Sequence, residues 1–245
     1  MLFLRVDVDR RYLICKQGMI PSLSMRTFYY PINFLTSIIV HPRVKLRGYL
    51  THLSDFVEYL NDKGIKATFF LKTNTIPGDQ GMLNGHRVGI HSWIARTLTD
   101  FEREFGFVQR AMGNFKVDGM SKHGSGPRTE SWKDVSPWTE SWNQAREYEP
   151  RKYLEWCRAM GLRYFAGNSQ DARIPCQEIG KVTFYPSAFW LGRNERPPGV
   201  DIPWLLREGE KRDVIVLVHP ENWLLNVSER DDLELILSKG PFGLI

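Results

Sequence analysis

Cysteine is scarce in this chain. Its three cysteines, Cys15, Cys157 and Cys176, lie far apart, are odd in number and never fall in a C-x-x-C spacing. That pattern speaks against a disulfide framework and against a cysteine zinc site, and for reduced thiols in a cytosolic setting. Long apolar runs are also missing, and none approaches the ~20 residues that a helical membrane span needs. The first apolar run is broken by Asp7 and Asp9. The charged-then-apolar pattern of a leader is therefore not seen, and a cytoplasmic location is expected. Runs of one charge sign are lacking too. The 33 Lys and Arg and the 28 Asp and Glu are scattered, with a net charge of +5. Neither a nucleic-acid nor a membrane partner is expected. No repeat, low-complexity segment or linker occurs, so one domain over residues 1–245 is the simplest organisation.

What is present is an alternation of strands and helices. Hydrophobic residues make up 42% of the chain and charged residues 25%, the balance of a soluble globular protein. Leu2-Phe3-Leu4-Arg5-Val6-Asp7-Val8-Asp9 reads as a buried first strand ending in two carboxylates. Period-two alternation puts Leu4, Val6 and Val8 on one face and Asp7 and Asp9 on the other. Residues 48–63 carry apolar positions at three- and four-residue spacing, which predicts a helix closed by Gly64. Ile65 to Leu71 follows as a strand, completing a βαβ unit. Further strands are predicted at Arg87–His91, Lys116–His123, Arg163–Ala166, Val182–Tyr185 and Asp213–His219. Helices are predicted from the Thr99–Glu102 capping-box spacing, from Pro150 onward and around Leu233 to Leu237. Residues 10–46 and 124–147 read as long loops, the second rich in tryptophan.

The chemistry-bearing residues fall where strands end: Asp7 and Asp9, His91, His123 and His219. In α/β barrels, sites form on that face. Two adjacent acids at the end of an apolar strand either cap a turn or hold something positive, such as a metal, a cationic partner or a shared proton.

Four segments match one family in order and spacing. Val6-Asp7-Val8-Asp9 is similar to the first motif of the polysaccharide deacetylases of the NodB-homology type. Gly64-Ile65-Lys66-Ala67-Thr68-Phe69-Phe70-Leu71 resembles their G-x-x-A-T-F-F strand. Residues 85–92, Gly-His-Arg-Val-Gly-Ile-His-Ser, resemble the run that opens their second motif, and Leu217-Val218-His219-Pro220 resembles their final L-H-P. The resemblance implies a distorted (β/α) barrel with fewer than eight strands. It also implies hydrolysis of an acetamide on a sugar with a divalent metal, often zinc. Asp7 is then the base, Asp9 and His91 are metal ligands, and His219 is the acid. The chain departs from the family at Ala95, where H-S-x-x-H would place a second histidine, and no R-x-P-[YFW] motif is found. His123 is the expected substitute third ligand.

Amide hydrolysis needs an activated water and a stabilised oxyanion, and a metal can supply both. Trp138 and Trp142, with Trp132 nearby and Trp223 after His219, are expected to form a stacking platform for sugar rings or to pack their loop. Without a third ligand, a catalytically impaired barrel that binds a carbohydrate or another ligand is the alternative. Two acids on one strand beside histidines suit a metal better than a glycosidase pair.

Overall fold

Asp9 reaches the mouth of the molecule because β1, Leu2–Val8, is one stave of a closed barrel. In this computed structural model the described residues are 1–11, 49–123, 150–168, 172–192, 196, 199–240 and 242–244. The expected loops and the tryptophans Trp132, Trp138 and Trp142 lie outside them.

In chain order the elements after β1 begin with α1 (Thr51–Asp62), β2 (Thr68–Leu71), β3 (Arg87–Ser92), α2 (Leu98–Ala111) and β4 (Val117–Lys122). They continue with α3 (Pro150–Ala159), β5 (Tyr164–Asn168), β6 (Gln177–Ile179), β7 (Val182–Trp190) and α4 (Ile202–Lys211). Last come β8 (Val214–Val218), α5 (Pro220–Leu225), α6 (Val227–Lys239) and β9 (Phe242–Gly243). Strands β1, β2, β3, β4, β5, β7 and β8 pair in parallel, and β8 returns to β1. The result is a seven-stranded distorted (β/α) barrel, one strand short of the eight of a complete barrel. The short β6 adds to β7 in antiparallel fashion, and β9 pairs with β1 outside the ring.

Alternation along β1 sorts the side chains. Leu2, Leu4, Val6 and Val8 face outward into the core shared with the helices. Phe3, Arg5 and Asp7 take the opposite face, and Phe3 packs with Phe70, Tyr164, Ala166 and Ile215 inside the ring. Gly64 and Gly161, both at φ 66°, end α1 and α3 in the left-handed region that glycine tolerates. The cap of α2 corrects one expectation. Thr97, not Thr99, is the N-cap, with Asp100 closing the box, so the helix starts two residues earlier. Helix α4 was not anticipated from periodicity, although the Asp201 side chain caps it and a proline sits in its first turn.

Two motif residues turn out to be packing devices. A Cβ on Gly89 would lie 2.6 Å from the Phe70 ring, so the glycine of β3 makes room for the phenylalanine of β2. His86 accepts the Ala67 N–H at Nδ1 (3.2 Å), and its Nε2 faces Asn61 Oδ1 at 3.1 Å. Nδ1 must then carry no proton. Burial, helped by Lys66, pushes this imidazole from its ordinary 6.5 down to about 4. The unfolded chain therefore binds a proton that the folded chain refuses. The His86 contribution is complete above its unfolded value of ~6.5 and is lost as pH falls toward its folded value. Urea unfolding at about pH 7.5 and about pH 5 should show a loss of stability, smaller by ~2 kcal/mol in His86→Gln. Equal losses in the two proteins would contradict a neutral His86.

Candidate metal centre

The strand ends converge on one carboxylate. Asp9 follows β1, His91 lies near the end of β3, and His123 is the first residue past β4. Asp9 Oδ1 is 3.1 Å from His91 Nε2 and 3.0 Å from His123 Nδ1, and the two nitrogens are 3.0 Å apart. These three side chains form a cluster of ligand atoms within 4.8 Å of one another. His219, just past β8, places Nε2 3.5 Å from the other oxygen, Asp9 Oδ2. Asp9, His91, His123 and His219 are thus brought together from four strands.

The donor set fits a divalent ion. Asp9 Oδ1 is buried among three nitrogens, His91 Nε2, His123 Nδ1 and the Lys72 ammonium, each within 3.1 Å. A buried carboxylate oxygen needs positive charge beside it, which the Lys72 ammonium at 3.0 Å supplies here and a metal ion could supply in its place. Tetrahedral zinc bonds of ~2.0–2.1 Å separate ligand atoms by ~3.3 Å, close to the spacing seen here. The protonation states suit as well. Burial lowers His91, against the pull of Asp7 and Asp9, and lowers His123 to about 4. Burial raises the Asp9 carboxyl, but His123 and Lys72 pull it well below its ordinary value. Two neutral imidazoles and one carboxylate are the forms a metal takes.

Asp7 stands one layer deeper, with only 2% of its surface exposed. Both oxygens are bound by Arg5, through Nε at 3.0 Å and Nη2 at 2.6 Å. Arg5 is fully buried and also donates to Asn168 Oδ1 (2.9 Å) and Ser187 Oγ (2.8 Å). Burial pushes the Asp7 carboxyl up, yet Arg5 and His91 outweigh it and hold the group below its usual range. Ser121 links this pair to the cluster, with its hydroxyl 2.6 Å from His91 Nδ1 and donating to Asp7 Oδ1 at 3.4 Å. The short contact with Ser121 fixes the His91 ring with Nε2 turned to Asp9, and a metal on Nε2 would leave the Nδ1 proton to be donated to Ser121.

Trp223 is not brought to the site. It is 6% exposed and packs its ring 5.0 Å from Phe56 and 4.9 Å from Tyr59, in the layer between α1 and α5. Helical periodicity after Pro220 turns it into the core, which corrects the expected substrate contact. Ala95, at 3% exposure, also faces the apolar core. The turn that carries it is held by buried Glu104, which accepts from Ser92 Oγ (2.7 Å), Trp93 N (3.0 Å) and Ile94 N (3.4 Å).

Four residues of the site were not singled out from the sequence: Arg5, Lys72, Ser121 and Glu221. Arg5 shares the inward face of β1 with Asp7, so alternation alone could have flagged it. Lys72 directly follows the apolar β2, at the same strand-end position as the histidines, and its Nζ lies 3.0 Å from Asp9 Oδ1. Glu221, two residues past His219, is 2% exposed, and burial, against the pull of His219, pushes it up to about 7.

A seven-stranded barrel with its cluster at the strand ends has the fold of the polysaccharide deacetylases. A candidate polysaccharide deacetylase from Mycobacterium smegmatis superposes at TM-score 0.55 and 11% identity, over 99% of this chain and 85% of that one. PuuE allantoinase does so at TM-score 0.52 and 11% identity, over 100% and 86%. A CE4-family pseudoenzyme from Bacillus anthracis aligns at TM-score 0.45 and 13% identity, over 100% and 63%. No protein-family model and no curated protein sequence matches the chain. No helix among the described residues is long and apolar enough to cross a membrane.

Proposed function

We propose that residues 1–245 form one divergent polysaccharide deacetylase (NodB-homology) domain, a cytoplasmic metal-dependent hydrolase of non-peptide carbon–nitrogen bonds. An N-acetylated sugar or carbohydrate is the substrate class, and zinc is the first choice of metal. The observation that carries this reading is the convergence of Asp9 Oδ1, His91 Nε2 and His123 Nδ1 at the barrel mouth. Those three residues would hold the metal, which when bound lowers the pKa of water and polarises a carbonyl.

The chain's own groups supply the proton transfers. Asp7 is deprotonated, as a base must be, and Arg5 fixes its direction. The same pairing weakens it as a base, so removing the proton from water is the harder transfer. His219, at the mouth, is 22% exposed at its side chain and able to meet the leaving amine. Oligomers of N-acetylglucosamine incubated with zinc-loaded protein should release acetate, and Asp9→Ala should abolish that release.

Lys72 favours a second reading, in which the barrel binds a carbohydrate or another ligand without hydrolysing it. Its ammonium neutralises Asp9 with no metal present. Bound zinc without acetate release from any N-acetylated substrate would select this reading.

A further inference from the structure

Lys72 has no exposed surface, and the apolar strand β2 delivers it to the mouth. Its Nζ lies 3.0 Å from Asp9 Oδ1, 3.4 Å from the Asp9 carbonyl oxygen and 3.4 Å from His123 Nε2. It also stands 5.5 Å from the centre of the Trp93 ring. The base of the side chain is fixed. The Lys72 N–H donates to Thr75 Oγ1 (2.9 Å), the Thr75 N–H donates to Lys72 O (3.1 Å), and the Thr75 hydroxyl donates to Val8 O (3.0 Å). The lysine is therefore tied to the very strand that carries Asp9.

Two ion pairs already stand here. Arg5 offsets Asp7 at 2.6 Å, and Lys72 offsets Asp9. A divalent ion on Asp9 Oδ1 would stand beside this ammonium in a buried setting, where like charges repel far more than in water. We propose that Lys72 is an internal counter-ion occupying the electrostatic place of the metal on Asp9. Metal binding is then an exchange in which the ammonium swings off the carboxylate. Its four-carbon stem is flexible enough for that, and the Trp93 face offers the displaced cation a neighbour. Lys72 is a positioning residue in this scheme: it keeps the three ligands gathered without metal, and it weakens the metal that replaces it.

This rests on the metal reading given above, and zinc affinity separates the two. Chelator-treated full-length protein is titrated calorimetrically with zinc for wild type, Lys72→Met and Lys72→Arg. Lys72→Met should bind zinc at least ~10-fold more tightly than wild type, while Lys72→Arg, which keeps the charge, stays near wild type. Metal-free Lys72→Met should melt below metal-free wild type, with a larger rise on adding zinc. Should Lys72→Met not fold, Lys72→Gln keeps a hydrogen-bond donor without the charge and should show the same gain. A purely structural lysine would lower affinity on removal, not raise it. Equal or weaker zinc binding by a folded uncharged variant overturns the counter-ion proposal and leaves the metal centre standing. No stoichiometric zinc binding by any of these proteins overturns both.

Discussion

Arg5→Ala should be among the most destabilising single substitutions in this protein, at ~3–5 kcal/mol. Arg5 is fully buried inside the barrel and engages both Asp7 oxygens, Asn168 and Ser187. Removing it strands a carboxylate with 2% exposure and leaves two polar side chains short of a donor. For a chain of this size that loss corresponds to a fall in melting temperature of about 6–20 °C. The pH dependence should weaken as well. In the wild type the lowered Asp7 carboxyl adds stability above its unfolded value of 3.8, and that share is lost as pH falls below it. Without Arg5, only His91 and His219 oppose burial, so the Asp7 carboxyl rises and the acid-induced loss shrinks. The double variant Arg5→Met/Asp7→Leu should recover most of the stability, because apolar groups of similar volume often replace a buried ion pair at little cost. Calorimetry on the three proteins decides this. An Arg5→Ala protein within ~1 kcal/mol of wild type would refute the pairing as described.

Metal content should follow the cluster in two grades. His91→Ala removes a ligand atom and should abolish the ion, about one per chain, that the centre is proposed to hold. Ser121→Ala leaves all three ligands but frees His91 Nδ1 from its 2.6 Å partner. Loss of such an outer partner costs ~10–100-fold in affinity, so this variant should bind more weakly yet still bind. The double variant Arg5→Met/Asp7→Leu also removes the acceptor behind Ser121, and a similar fractional loss is expected there. Elemental analysis after dialysis, with titration against a chelator of known strength, measures all of these. Stoichiometric metal that survives both His91→Ala and Asp9→Ala would place the ion elsewhere.

Much of the barrel was legible because its signals are local. The alternation in Leu2–Val8 and the β-branched and aromatic run before Leu71 each describe a strand by its own residues. Gly89 and His86 are informative because they record contacts between neighbouring strands, with Phe70 and with Ala67. They report the fold, not the chemistry. The ligand positions Asp9, His91 and His123 were legible from the strand-end rule, and that rule, followed strictly, would have included Lys72. What could not be read is which residue meets which. Arg5 finds Asn168 and Ser187 across more than 160 positions, and no spacing announces it. Trp223 failed for the opposite reason, because proximity in sequence to His219 says nothing about which way a helix turns it.

Glu104 decides what a side chain at position 95 can reach. By gathering Ser92, Trp93 and Ile94 onto one buried carboxylate, it commits the turn after β3 to a course in which position 95 looks into the apolar shell. Ala95→His would bury an imidazole among hydrocarbons and add nothing to the mouth. While Glu104 holds this turn, the side chain at position 95 points into the core and not toward the Asp9, His91 and His123 cluster, so the proposed third ligand has to come from the end of β4.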